Sequence, residues 1–171
     1  MAYSSPTAAP PPSPSGAFAV HALTTADAGP AGAVIREAFA AQSHGTKPPS
    51  SALRETTESI AAKIAAGGGF GAFAGGLLVA AALWQVDGDA LVIGRVCALP
   101  GFRGRALSGK LIAACESAAR ARGLRRLRLR VRLELPENER LFSRIGFVRV
   151  RIEAHPGFDA PTVAILEKPL P

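Results

Sequence analysis

The sequence has few aromatic residues, little lysine and no long apolar segment that is free of glycine. Aromatic residues make up 6% of its 171 residues, so it offers no series of stacking side chains for single-stranded nucleic acid. An uncharged run between Lys63 and Asp87 is long enough to span a membrane, but six glycines interrupt it. The run therefore favours two short buried strands that turn at Gly75 and Gly76, and it predicts no membrane helix.

The two cysteines, Cys97 and Cys115, lie 18 residues apart, outside any Cys-x-x-Cys pair or zinc-like spacing with histidine. This spacing favours reduced cysteines in the core of a cytoplasmic protein over a disulfide or a metal site. Residues 1–16 contain five prolines and lack both the basic and the apolar regions of a secretion signal. We predict a disordered tail over residues 1–16 and one domain over residues 17–171.

The periodicity of apolar residues predicts a single α/β domain with a mixed sheet. The predicted strands cover 17–23, the two arms of a hairpin around Gly75 and Gly76, 90–98, 125–133, 147–154 and 162–168. The predicted helices cover 26–41, 52–66, 107–122 and 136–145, and the run from Gly67 to Gly69 is expected to end the second helix.

Arginine supplies 16 of the 20 basic residues, and the net charge of +7 favours anionic partners. The turn before the third predicted helix contains Arg103, Gly104, Arg105, Ala106 and Ser108 and no acidic residue. Small residues at the start of a helix leave backbone N–H groups unpaired, and guanidinium groups bind phosphate with two parallel hydrogen bonds. The turn therefore predicts a phosphate-binding site.

Three segments together resemble the acetyl-CoA-binding core of the GNAT family of N-acetyltransferases. They are the run PGFRGRALSGKL, the helix that ends at Gly123 with the strand after it, and the run NERLFSRIGF. The family signature is Arg or Gln, two free positions, Gly, one free position, then Gly or Ala, and this sequence has Arg103, Ala106 and Ser108 there. The resemblance covers about residues 17–169 and implies a mostly antiparallel sheet of about six or seven strands with about four helices.

The resemblance implies that acetyl-CoA is the co-substrate and that its acetyl group passes to the amine of a small molecule or peptide. The end of the fourth strand would pair with the pantetheine arm, and the turn would bind the pyrophosphate through backbone N–H groups. The helix that begins at Pro136 would flank the other side of the cofactor. The implied cofactor-binding residues are Val96, Cys97, Ala98, Arg103, Gly104, Arg105, Ala106, Leu107, Ser108, Gly109 and Asn138.

The residues that many family members use for proton transfer differ in this chain. Phe142 stands where many members have a tyrosine that protonates the leaving thiolate, and Arg130 stands where a glutamate base often lies. The only tyrosine is Tyr3. Two functions therefore stay open: an N-acetyltransferase that relies on positioning and a water relay, and an acyl-CoA-binding module that has lost catalysis.

His155, in the turn-rich segment HPGFDAP, is the leading candidate for a general base, because imidazole changes charge near neutral pH. Anchoring of the loop is its alternative role. His44 is a weaker candidate, whereas His21 and Ser143 are expected to be a strand residue and a solvated helix residue without roles. Deprotonating a lysine-like amine at pH 7 costs roughly 4–5 kcal/mol, whereas an α-amine costs only about 1 kcal/mol, so we expect an acceptor amine that is weakly basic or whose pKa the site lowers.

Four arginines alternate with apolar residues on the predicted strand at 125–133 and share one face at intervals of about 6.6 Å. They are Arg126, Arg128, Arg130 and Arg132. The preferred interpretation is a solvated face with Glu134 and Glu137 nearby. An acidic substrate or cofactor phosphate comes second, and nucleic acid last, because no aromatic residues are interleaved. Two copies of the chain could pair through terminal strands, and the sequence identifies neither the acceptor nor the oligomeric state.

Overall fold

The computed structural model describes residues 17–42 and 45–171. The strands are β1 (Ala19–Ala22), β2 (Gly68–Ala74), β3 (Leu77–Asp87), β4 (Ala90–Ala98), β5 (Arg126–Arg132), β6 (Val148–Glu153) and β7 (Val163–Pro169). The helices are α1 (Ala28–Ala40), α2 (Thr57–Ala66), α3 (Leu107–Ala121) and α4 (Pro136–Arg144). The predicted tail at 1–16 and the candidate base His44 lie outside the described residues.

The seven strands form one sheet in the order β1-β2-β3-β4-β5-β7-β6. Neighbouring strands are antiparallel except β4 and β5, which run parallel because α3 connects them as a crossover. The predicted single α/β domain, with a mixed and mostly antiparallel sheet flanked by four helices, is confirmed.

Helices pack on both faces of this sheet and leave part of one face open. On one face α1 and α2 bury a cluster around Ile35 and Ile60 against β2, β3 and β4. On the other face α3 and α4 bury Leu111, Phe142 and Phe147 against the centre of the sheet, including the apolar side chains of β5. The arginines of β5 therefore emerge on the first face, beside α1 and α2, which pack mainly on the preceding strands.

The prediction of a continuous helix at 52–66 is wrong at its start. Residues Ser51–Arg54 form a short 3-10 turn, Glu55 is extended, and α2 begins after Thr56. The N–H of Ser59 donates to the Thr56 hydroxyl at 3.1 Å, and the N–H of Thr56 donates to the Ser59 hydroxyl at 2.9 Å. This reciprocal cap satisfies two N–H groups and begins the helix, so Glu55 stays outside it.

The three glycines after α2 do more than end the helix. Gly67 follows the last helical residue, but Gly68 and Gly69 are the first residues of β2. A Cβ on Gly68 would lie 2.3 Å from the ring of Trp84, so a larger residue would collide with that ring. Glycine is therefore required where β2 passes Trp84.

Candidate functional site

The parallel strands β4 and β5 pair over only part of their lengths. Four residue pairs join them from Ala90 to Ile93, and β4 then continues to Ala98 without pairing to β5. A bulge in the pairing between β4 and β3 turns the strand at Arg95, whose φ of 56° lies in the left-handed region. Among the described residues, the β5-facing edge of 94–98 has no strand partner, so its N–H and C=O groups can pair with a ligand.

Two adjoining cavities lie along this unpaired edge. The turn cavity, of about 400 Å³, lies between the end of β4 and the start of α3. The arginine cavity, of about 420 Å³, lies between β4, β5 and the loop that contains His155. The residues common to both cavities are Phe39, Gln42, Val96, Leu135, Asn138 and Phe142.

The turn cavity brings together every residue predicted to bind the cofactor except Arg105. The guanidinium carbon of Arg105 lies 5.8 Å from the centre of the Phe102 ring, in a cation–π contact. Residues that are distant in sequence, such as Val96 and Asn138, therefore face one space. Whether they bind a cofactor stays a prediction.

The backbone at the start of α3 has the shape of an anion site. Gly104 and Ala106 both adopt left-handed conformations, with φ of 73° and 56°. Ala106 has no side-chain oxygen to cap the helix, and the first helical hydrogen bond runs from the N–H of Lys110 to the Ala106 carbonyl at 3.2 Å. The N–H groups of residues 107–109 therefore have no acceptor within the helix and can bind an anion in the turn cavity.

Arg103 fastens this turn to α1. Its Nη1 and Nη2 donate to the carbonyl oxygens of Ala41 and Ala38 at 3.1 and 2.9 Å, at the C-terminus of that helix. A cation in this position satisfies unpaired carbonyl groups and interacts favourably with the helix dipole. The anion-binding capacity of the turn thus rests mainly on its backbone N–H groups.

Cationic side chains line the arginine cavity, and its described lining contains no aspartate or glutamate. Its cations are Lys63, Arg95, Arg130 and Arg132. Lys63 and Arg95 both pair with Glu55, at 2.8 and 2.7 Å, and the Glu55 side chain is 4% exposed. Burial by itself raises the pKa of Glu55, but hydrogen bonds from Lys63, Ser59 and Arg95 outweigh it and lower that pKa to about 2.

The four arginines of β5 have different surroundings. Arg130 lines the arginine cavity and also pairs with Glu153 at 3.2 Å, whereas Arg126 and Arg128 lie outside the cavities. Arg126 and Arg128 form ion pairs of 2.6 to 3.2 Å with Asp87, Asp89 and Glu167, which belong to β3, the turn after it and β7. The structure thus pairs these two residues with carboxylates other than Glu134 and Glu137, the two that the preferred interpretation of a solvated face expected nearby.

The carboxylates expected beside the arginines have other contacts. Glu134 accepts the backbone N–H of Lys47 through both of its oxygens, at 3.2 and 3.0 Å. Arg130 and Arg132 instead line the arginine cavity. The four arginines that alternate regularly along β5 in the sequence thus lie in different surroundings in the structure.

His155 lines the arginine cavity and also anchors its own loop. Its backbone N–H donates to Thr162 Oγ1 at 3.0 Å, and its Nδ1 lies 2.5 Å from the same oxygen. Burial lowers the pKa of His155, and the positive charges of Arg132 and Arg130 lower it further. The imidazole is therefore neutral at pH 7 and has one ring nitrogen that can take a proton.

Ser143 and His21 lie outside both cavities, and neither cysteine is a reactive thiol. Ser143 is exposed on α4 and lines neither the turn cavity nor the arginine cavity, and His21 is exposed on β1. Cys97 and Cys115 are free thiols, and burial raises the pKa of Cys97 to about 12. The Cys97 thiol thus stays protonated at neutral pH and is a poor nucleophile.

Arg95 and Glu55 are the residues of this site for which the sequence pattern carries no signal. Their pairing depends on a bulge in β4 and on a helix cap 40 residues earlier in the chain. Among the described residues, no helix combines the length and apolar content needed to cross a bilayer, and no cluster of His, Cys, Asp or Glu side chains is arranged to hold a metal ion.

Comparisons with known proteins agree on one family. The family model described as "Acetyltransferase (GNAT) family" matches residues 35–147. No curated protein sequence matches the chain. The ribosomal-protein-S18-alanine N-acetyltransferase from Escherichia coli superimposes with a TM-score of 0.71 and 20% identity, covering 90% of this chain and 94% of that one.

Two further solved structures share the fold. The PaiA N-acetyltransferase from Thermoplasma acidophilum, in complex with coenzyme A, superimposes with a TM-score of 0.73 and 19% identity, covering 90% of this chain and 99% of that one. An acetyltransferase of the GNAT family from Streptococcus pneumoniae gives a TM-score of 0.73 at 15% identity, over 91% and 100% of the two chains.

Proposed function

The chain belongs to the GNAT family of acetyltransferases, and from that premise we propose that it is an acetyl-CoA-dependent N-acetyltransferase acting on the amine of a small molecule or peptide. The observation that carries this proposal is the junction of the two cavities at the unpaired end of β4. At this junction the turn cavity, which suits the acyl donor, adjoins the arginine cavity, which suits an acceptor. Val96, Asn138 and Phe142 line both cavities.

The turn cavity has the groups that acetyl-CoA requires. The unpaired edge at Val96, Cys97 and Ala98 suits the amides of the pantetheine arm, and the N–H groups of residues 107–109 suit the pyrophosphate. A Cβ added to Gly104 or Gly109 would meet nothing within 4 Å, so space for a bound group lies directly above the turn. When bound, acetyl-CoA supplies the acetyl group as an activated thioester.

The residues of the arginine cavity would handle the acceptor amine. In the proposed transfer, the amine nitrogen bonds to the acetyl carbon, the carbon–sulfur bond breaks, and the amine loses a proton while the thiolate gains one. This role requires the tautomer of His155 in which Nδ1–H donates to Thr162 Oγ1, with Arg132 then donating to the Pro48 carbonyl and not to Nδ1. The Nε2 lone pair is then left to take the amine proton. Solvent would protonate the thiolate, since no tyrosine occurs among the described residues.

The cations of the cavity would assist by acting on the amine itself. Arg130 and Arg132 already lower the pKa of His155, and the same field disfavours the ammonium form of a bound amine. The α-amine of a peptide, with an ordinary pKa of about 7.7–8.0, would then be largely neutral at pH 7, and a more basic amine would be easier to deprotonate than in water. A strong catalytic base is therefore less necessary, which supports activity despite Phe142 and Arg130 at the usual acid and base positions.

The proposal is tested by incubating the full chain with acetyl-CoA and a panel of amines while free CoA is measured. Amine-dependent CoA release, with the acetylated amine identified by mass spectrometry, is the expected result. Release that does not depend on any amine would contradict the proposed transfer.

One observation favours a second function, an acyl-CoA-binding module without catalysis. Phe142 is 7% exposed and occupies the wall between the two cavities, where many family members have the tyrosine acid. Thermal stabilisation by acetyl-CoA without turnover of any amine would support this function over the enzyme. No stabilisation by CoA or acetyl-CoA would contradict both.

The expectations for location and assembly extend the same proposal. We propose a cytoplasmic enzyme without a nucleic-acid partner, on the basis of the two free cysteines and the ion pairs of Arg126 and Arg128. Among the described residues, the terminal strand β6 has one unpaired edge, through which two copies could join. Light scattering on the purified chain distinguishes a monomer from a homodimer.

A further inference from the structure

The arginine cavity contains one guanidinium that forms no ion pair with the described part of the chain, Arg132. The negative charge of Glu134 acts on it and raises its pKa, but burial outweighs this effect. Arg126, Arg128 and Arg130 each have an acidic partner within 3.2 Å. Arg132 instead donates to the Pro48 carbonyl at 2.9 Å and lies 3.4 Å from His155 Nδ1, with no ion pair among the described residues. It is thus the exception on a strand face whose other cations are neutralised.

Glu134, whose charge acts on Arg132, and Glu153, at the end of β6, both have other partners. Glu134 accepts the N–H of Lys47 with both oxygens, and Glu153 pairs with Arg130 and Arg151 at 3.2 and 2.7 Å. Burial lowers the pKa of Arg132, as expected for a cation that is partly removed from water without a full counter-ion. A guanidinium carries five donors, so Arg132 retains donors for a further acceptor.

The shape of the site indicates what that acceptor is. A planar guanidinium matches a carboxylate through two parallel hydrogen bonds. The N–H groups proposed to bind the pyrophosphate lie at the start of α3, in the turn cavity. The phosphates of the acyl donor therefore do not require Arg132. The volume of about 420 Å³ suits a small molecule. The guanidinium of Arg132, which forms no ion pair among the described residues, disfavours polyamines and lysine-rich peptides.

We propose that the acceptor is a small amine that also carries a carboxylate, in the manner of an amino acid, and that Arg132 binds this carboxylate while the amine faces the junction of the two cavities. This inference rests on the proposed acetyltransferase function and names the substrate class for it. Arg132 is accordingly a residue that determines specificity. His155, beside it, then lies between the bound carboxylate and the reacting amine.

The test compares α-amino acids with their α-amides and with spermidine, as a polyamine without a carboxylate. An α-amide keeps the amine, loses the carboxylate and is less basic, so without carboxylate recognition the amides would be the better substrates. We expect kcat/KM for the amino acids to exceed that for the matching amides by about 10- to 100-fold, the range of one charge-assisted hydrogen-bonded contact. Equal or faster acetylation of amides or spermidine would overturn the substrate class and leave the acetyltransferase function standing.

Paired variants then assign the effect to one residue. Arg132→Gln should raise KM for the amino acids by about 10- to 100-fold more than it raises KM for the matching amides, because the effect of its charge on His155 and on the amine is common to both substrates. Arg126→Gln, on the same face but outside the cavities, should change neither. If Arg132→Gln fails to fold, inhibition of the wild type decides: a carboxylic acid without an amine should compete with the amino acid but not with acetyl-CoA, and absence of that competition would contradict the proposal. Failure of every amine to release CoA would instead contradict the proposed function itself.

Discussion

Arg95 and Glu55 form an ion pair in which Nη2 and Nε of the arginine lie 2.7 and 2.8 Å from one oxygen of the carboxylate. The arginine is the residue with left-handed backbone at the bulge of β4, and the glutamate precedes the cap of α2. The pair therefore joins the α2 segment to the point where β4 leaves β5. It stabilises the bend of β4 at Arg95, beyond which β4 no longer pairs with β5 and the two cavities lie along its edge.

The first prediction concerns acid stability. The pKa of Glu55 is about 2 in the folded chain, against 4.5 for an ordinary glutamate, so its contribution is complete above pH 4.5 and is lost as the pH falls toward 2. Glu55→Gln should lower the free energy of unfolding at pH 7 by about 3 kcal/mol and remove this part of the pH dependence. Urea unfolding at several pH values measures both effects. Glu37→Gln, at an exposed site on α1, should have little effect, and a difference between wild type and Glu55→Gln that stayed constant down to about pH 3 would refute the assignment.

The second prediction concerns the backbone before α3. Ala106 has φ of 56°, and a side chain in the left-handed region costs about 1–2 kcal/mol relative to ordinary conformations. Ala106→Gly should therefore stabilise the fold by about 0.5–1 kcal/mol, after the added freedom of the unfolded chain is subtracted. Ala113→Gly, at an exposed site inside α3, should destabilise it by about 1 kcal/mol. Thermal unfolding of the two variants should show opposite signs, and a loss of stability in both would count against the strained conformation.

The third prediction separates CoA binding from helix stability. Ser108 lies in the first turn of α3 and lines the turn cavity. Ser108→Asp places a negative charge where the helix dipole favours it, so thermal stability should hold or rise slightly. The same charge should repel the pyrophosphate and weaken CoA binding by at least about tenfold in calorimetry. Ser108→Ala should bind CoA nearly as the wild type does; unchanged affinity in the aspartate variant would place the pyrophosphate elsewhere.

The fourth prediction concerns His155. Its pKa is lowered from the ordinary value of 6.5, so the ring is neutral above that pH and takes up a proton as the pH falls below it. With an amine substrate at saturation, kcat of the wild type should decline with falling pH through this lowered pKa. His155→Gln should reduce kcat by about 100-fold or more, lose that decline, and leave CoA affinity unchanged. His21→Ala, on β1, is the matched control. A variant that kept its full kcat would leave loop anchoring as the only role of His155.

The local elements and the turn were accessible from the sequence because they depend on near neighbours. Alternation along β5 and the repeat of apolar residues on α3 placed those elements to within one residue. The start of α2 was missed because the reciprocal hydrogen bonds of Thr56 and Ser59 compete with a longer helix, and apolar periodicity does not register such a competition.

The candidate site was predictable only where its residues are consecutive. The turn at 103–109 could be assigned as an anion site from composition, whereas the engagement of Arg103 with α1 depends on a helix 62 residues away. The partners of Arg126 and Arg128 lie on β3, its following turn and β7, which reach β5 only through the order of strands in the sheet. Glu134 and Glu137, which lie close to β5 in the sequence, therefore did not predict which carboxylates pair with Arg126 and Arg128.

The resemblance to the GNAT family implied its architecture, and the sequence by itself determined a single α/β domain, the small-residue start of α3 and the alternation that sends the β5 arginines to one face. These follow from local backbone preferences and from the burial of apolar side chains. Only the tertiary structure decided that β4 and β5 separate, that two cavities meet along the exposed edge, and that Arg132 forms no ion pair with the described part of the chain. Each depends on which distant segments become neighbours, because the energy of a charge or an unpaired backbone group is set by its surroundings in space.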